Sequence, residues 1–170
     1  TMYNGRFFID HRMFYQNYIM NASMVVFRKN SRHPDKAYMN YRYVGDWLFW
    51  VGILLNGNTV YIDKQLNLFR QHAGNTTATS FSSGNNYKEM GRLMTDICRI
   101  VQPPTGFKPY LYGYFFVHLR RHFKKMKYNP SIVKEIFDEW ARNENRTFSI
   151  IWYRIAKWLC LYKDKRPFRP

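Results

Sequence analysis

From residue 87 onward, apolar side chains recur at helical spacing through four successive segments, and this periodicity restricts the chain's possible folds more than any other feature. The first segment, Tyr87 to Val101, is stopped by Pro103-Pro104, which cannot continue a helix. The second, Tyr110 to Lys127, aligns Leu111, Phe115, Leu119, Phe123 and Met126 on one stripe, with Arg120, Arg121, Lys124, Lys125 and Lys127 around its last turns. Positive charge there suits the helix macrodipole. The third, Ser131 to Arg142, offers Val133, Ile136, Phe137 and Trp140 to a core, and the fourth, Thr147 to Tyr162, offers Phe148, Ile151, Trp152, Ile155 and Leu159. Four one-sided helices bury those stripes most simply against one another, as a small bundle.

The first half has a different texture. FFIDHRMFYQNYIM, residues 7 to 20, predicts a helix with a broad apolar face, and Met24 to Phe27 predicts a short buried strand. GDWLFWVGILLNGN, from Gly45, predicts a buried helix with Asp46 at its N-terminal edge and Asn56-Gly57 as its stop. Thr59 to Ile62 and Leu66 to Arg70 are two further strand candidates, and the polar run Gly74 to Asn86 predicts a loop dividing the chain. The expected fold class is α+β and predominantly α: two or three short strands over residues 1–80, then a basic helical extension over 81–170.

With 170 residues, 46% of them hydrophobic, the chain can fill a core of its own. Its net charge of +16 is uneven: residues 1–85 hold 9 bases and 4 acids, residues 86–170 hold 18 and 7. Such a field attracts phosphate groups in nucleic acid, anionic lipid or a phosphorylated carrier. A basic helical module that binds nucleic acid, or serves as a structural adaptor, is therefore the alternative to an enzyme, although no RNP-like or zinc-knuckle motif is present. Aromatic residues beside the basic cluster, Tyr114, Phe115, Phe116 and Phe123, would instead suit an anionic membrane surface. Only Cys98 and Cys160 occur, at a spacing that excludes a zinc knuckle. The longest strongly apolar run, Trp47 to Leu55, falls far short of the roughly 20 residues that span a bilayer.

Chemistry concentrates in two places. Asp46 opens a very apolar helix, where an acid either caps free backbone N–H groups or serves as a proton acceptor at the edge of a cleft. Arg70-Gln71-His72 follows the second strand candidate and places a base and an imidazole together. His72 alone reads first as a surface histidine, with a ligand for a metal or phosphate as the alternative.

The stretch Asn21 to Thr77, with NASMVVFRKN followed by VGDWLFWVGILLNGNTVYIDKQLNLFRQHAGNTT, resembles the second half of the catalytic domain of bacterial family 2 glycosyltransferases of the GT-A type, over about one third of the chain. The resemblance implies an inverting hexosyltransferase-like enzyme, of which this chain is the C-terminal, acceptor-side portion. Asp46 takes the position of the general base, Trp47 would stack in the sugar or acceptor pocket, Arg70 would face the diphosphate, and His72 would contact a metal together with the other half. Family members often carry a second acid before this Asp; here it is Gly45.

No Asp-x-Asp occurs in the chain, so the motif that holds Mg or Mn would lie upstream, and these 170 residues alone are expected to hold no cofactor and to transfer no sugar. The implied partners are a nucleotide-sugar donor, a saccharide or lipid-linked acceptor, the N-terminal half of the same protein, an anionic membrane and a second copy of the chain. The implied setting is cytoplasmic, at the inner face of the cell membrane, in surface polysaccharide or glycolipid synthesis.

Overall fold

The computed structural model describes residues 1–28, 36–62, 64, 66 and 76–162, apart from the side chains of 76–79. The fold is predominantly helical with one small two-stranded antiparallel sheet. Contacts divide it into two compact units, Thr1–Thr76 and Thr77–Asp164.

In the first unit, β1 (Met2–Asn4) pairs with β2 (Asn58–Val60), Tyr3 opposite Thr59. The Asn4 side chain caps the short helix α1 (Gly5–Phe8) by accepting from the N–H groups of Arg6 and Phe7. The chain then passes into a π-helical turn, Ile9–Met13, closed by the Phe14 N–H on the Ile9 carbonyl. The widened turn places Ile9, Met13 and Phe14 together in the core. The single long helix expected over residues 7 to 20 therefore ends early: the core takes residues up to Tyr15, and residues 16–20 run on without helix and without burial.

Met24 to Phe27 is not the buried strand its composition suggests. Met24 ends a 3-10 turn (Ala22–Met24), Val26 is 100% exposed, and no strand pairs with the segment among the described residues. A β-rich run without a ladder partner has no means of satisfying its backbone in a core.

α2 (Gly45–Leu54) forms as expected, but it is buried nearly all round rather than on one face: Trp47, Leu48, Trp50, Val51 and Leu54 all lie in the core. β2 covers part of the Thr59 to Ile62 candidate. Residues 67–70 of the next strand candidate lie outside the described residues.

The second unit holds α3 (Thr76–Ser83), α4 (Asn85–Val101), α5 (Phe107–Lys125), α6 (Pro130–Asn143) and α7 (Arg146–Trp158). Of the loop expected at Gly74 to Asn86, residues 76–83 and 85–86 are helix, and residues 74–75 lie outside the described residues. Ser/Thr-rich sequence weakens a helix by local side-chain competition, but packing prevails here. Ser80 is buried, Phe81 meets Tyr87 edge to face at 5.5 Å, and the Tyr128 hydroxyl donates to the Phe81 carbonyl at 2.6 Å. The turn between α3 and α4 falls at Gly84, whose φ of 74° suits glycine.

α4 packs on α6 and α5 on α7. Trp140 of α6 fits against Gly91 of α4, and its indole N–H donates to the Tyr87 carbonyl at 2.7 Å. Tyr112 of α5 bonds both the Gly91 carbonyl and Thr95. Phe115, Phe116 and Phe123 are core residues, as the stripe of α5 implied for Phe115 and Phe123, and so do not serve the membrane surface weighed as the alternative.

α7 overturns its expected orientation. The face it buries is Ser149, Tyr153 and Ala156, while Phe148, Ile151, Ile155 and Leu159 of the expected core stripe are exposed. The cause is the closeness of the crossing with α5. A Cβ on Gly113 would lie 2.1 Å from the Ser149 carbonyl oxygen and 2.5 Å from the Tyr153 Cβ, so bulky aliphatic side chains have no room in that seam.

Candidate functional site

Asp46 sits in the first turn of α2, one residue after Gly45, and is exposed rather than sealed in the core. Its Oδ1 accepts the Trp47 N–H at 2.8 Å, and its Oδ2 accepts the Asn17 side-chain amide at 3.4 Å. Asp46 is not the cap of α2: Val44 holds that position and makes no side-chain cap bond, and the Asp46–Trp47 bond joins neighbouring residues within the first turn. That bond does not prevent the outward-facing part of the carboxyl from meeting another group.

The Asp46 carboxyl titrates above the usual carboxylate range. Loss of hydration among the surrounding protein atoms is the dominant cause, and it outweighs the hydrogen bonds from the Trp47 N–H, the Asn17 amide and the residue's own N–H. Although much of the residue's surface reaches solvent, the carboxylate is thus crowded enough to hold a proton more readily than a free aspartate.

Trp47 takes a different position from the one expected of a sugar-stacking ring. It is 5% exposed, and its indole N–H donates to the Met13 carbonyl at 2.7 Å. This ties α2 to the π-helical turn 34 residues earlier and fixes the backbone on which Asp46 is carried.

Asn17 has no periodic or motif signal in the sequence. Its Oδ1 accepts the Ile19 N–H at 3.0 Å, which sets the orientation of the amide and turns its N–H groups toward Asp46. Near it in sequence, Arg12 lies over the rings of Tyr18, Tyr61 and Phe8 at 4.9, 5.5 and 5.9 Å, a cluster that the separation in sequence conceals.

Arg70 and His72 lie outside the described residues. Among the described residues no three of His, Cys, Asp and Glu converge as a metal-binding set. No helix among them is long and apolar enough to cross a membrane. What the described geometry supplies is one oriented, solvent-reachable carboxyl with raised proton affinity, mounted on a rigid apolar helix. No known protein family, curated protein or solved structure matches the chain.

Proposed function

We propose that the chain is the acceptor-side portion of an inverting family 2 glycosyltransferase, with Asp46 as the general base. An acceptor hydroxyl oxygen attacks the anomeric carbon of a nucleotide sugar, forming the new glycosidic C–O bond. The bond to the nucleoside diphosphate breaks, its electron pair leaving with the diphosphate, and the hydroxyl proton passes to Asp46. Attack opposite to the leaving group inverts the anomeric configuration. Arg70 would stabilise the charge that develops on the diphosphate, as a guanidinium beside a phosphate does. The donor is a nucleotide sugar, and the acceptor a saccharide or a lipid-linked saccharide in surface polysaccharide or glycolipid synthesis.

The observation that carries this reading is the exposure and raised proton affinity of Asp46 at the start of α2, held by Asn17 and the Trp47 N–H. A carboxyl whose only purpose was to cap the helix would gain nothing from reduced hydration, whereas a base gains proton affinity from it.

The test is Asp46→Asn in the complete open reading frame, with sugar transfer, donor binding and melting temperature measured together. Asn keeps an oxygen for the Trp47 N–H, so folding and donor binding should persist. Turnover should fall by about 10²- to 10⁴-fold, and in the parent the acid limb of turnover should lie above the ordinary carboxylate range. Turnover within about tenfold of the parent would remove Asp46 from the chemistry.

A further inference from the structure

α7 presents a second, outward apolar face. Phe148, Ile151, Ile155, Trp158 and Leu159 follow one another at intervals of three, four, three and one, so at about 100° per residue they occupy an arc about 100° wide. All five are exposed, Phe148 at 53%, Ile151 at 51% and Trp158 at 82%. The face that packs on α5 is a separate one, made by Ser149, Tyr153 and Ala156. A helix amphipathic in this sense, buried along one narrow seam and apolar along another, leaves the second seam for an external occupant.

Charge identifies the occupant. Residues 107–129 contain six bases and residues 145–162 three, and neither stretch contains an Asp or Glu. On α7 itself Arg154 borders the apolar arc on the side of Trp158, while Arg146 lies over the Phe116 and Phe137 rings and Lys157 over the Tyr153 ring, nearer the seam with α5. Long basic side chains beside a stripe that includes Trp and Phe match a surface that is apolar below and anionic above. A second copy of the chain would set the same bases against themselves. Nucleic acid would use stacking rings, yet three of the five side chains are aliphatic.

We propose that α7 docks on an anionic lipid surface, its Phe148-to-Leu159 stripe entering the headgroup boundary and its bases meeting lipid phosphates. The proposal goes beyond the transferase reading and is independent of it, since its readout is vesicle binding rather than turnover.

The test is co-sedimentation of the 170-residue chain with vesicles of phosphatidylcholine containing phosphatidylglycerol, and with vesicles of phosphatidylcholine alone. The chain should partition into the anionic vesicles, less so as salt is raised. Ile155→Ser with Trp158→Ser should weaken partitioning about tenfold or more, and Arg154→Gln with Lys157→Gln should weaken it by about fivefold per charge on anionic vesicles. Circular dichroism and melting should be unaltered in both variants, because every replaced side chain is exposed.

Equal partitioning of the Ile155/Trp158 variant would overturn the proposal, as would absence of binding to anionic vesicles. Two further results would overturn it by naming another occupant: a lipid-free dimer that the same substitutions dissolve, or random-sequence oligonucleotide binding that they abolish.

Discussion

Gly113→Ala is the substitution whose outcome the geometry of the second unit constrains most tightly. Intrinsic helix propensity favours the change by about 1 kcal/mol, since α5 would lose a glycine from its interior. The added methyl would lie 2.1 Å from the Ser149 carbonyl oxygen and 2.5 Å from the Tyr153 Cβ, against roughly 3.4–4 Å for ordinary carbon contacts. A backbone carbonyl in a helix cannot turn aside as a flexible side chain can, so α7 must retreat by an ångström or more. Overpacking costs about 1–3 kcal/mol, and a clash this close against backbone falls in the upper part of that range, at about 2–3 kcal/mol; retreat also loosens the fully buried Ser149 and Ala156. The steric cost exceeds the propensity gain, leaving a net loss of about 1–2 kcal/mol. For a unit of this size that lowers the melting temperature by about 4–16 °C. Differential scanning calorimetry of Gly113→Ala beside Gly57→Ala is the assay, because a Cβ on Gly57 meets no atom within 4 Å. A Gly113→Ala protein that melts at or above the parent temperature would refute the close α5–α7 seam, and with it the reason α7 turns its large apolar residues outward.

Trp47→Phe keeps most of the buried ring but deletes the indole donor to Met13, so urea denaturation should show a loss of about 1–3 kcal/mol; an unchanged midpoint would mean that the bond does not anchor α2. Because burial holds the folded Asp46 carboxyl above its unfolded pKa, its contribution to stability is fully present below the unfolded value and is lost as pH rises through the raised folded value. Melting curves should therefore place Asp46→Asn at or above the parent at pH 7, with the gap closing on acidification, and a variant that falls further behind as pH rises would reverse the assigned shift. Burial pushes the Cys98 thiol up to about 12, Glu144 adding to the shift and Lys108 opposing it, whereas Cys160 is exposed. Labelling with a maleimide at neutral pH should modify Cys160 rapidly and Cys98 only on unfolding; two fast thiols would show the first pair of helices opening in the native state.

α4 to α7 were legible because they announce themselves twice, by stripes of large apolar residues and by punctuation, whereas α3, in a Ser/Thr-rich run without such a stripe, was not. Pro103-Pro104 follows the end of α4 by one residue, and Asn129-Pro130 caps and starts α6. The side chosen for burial was legible in α5 and α6, where the stripe falls on the core apart from the exposed Met126 and the half-buried Val133, but not in α7. There the deciding factor is a glycine on another helix, which periodicity within α7 cannot report. Asn-x-Ser/Thr at Asn21 and Asn145 has a local explanation, since both side chains cap the turns that follow them. In the first unit, Met24 to Phe27 has the composition of a strand, but strand formation depends on a partner that composition does not reveal. Asp46 was legible as an acid at a helix start. Its partner Asn17, 29 residues away, was not, because nothing local links a surface amide to a distant carboxylate.

The burial of α2 on nearly every side has a consequence for how this protein tolerates change. An acid carried on a peripheral helix could be retuned by small rotations of that helix, each absorbed by solvent. Here the residue immediately after Asp46 is a tryptophan locked between packed neighbours, so any reshaping of the interior is transmitted to the carboxyl within one peptide unit. Variation that alters how Asp46 is aimed should therefore arise among the hidden neighbours of Trp47 as readily as at the surface around the acid itself.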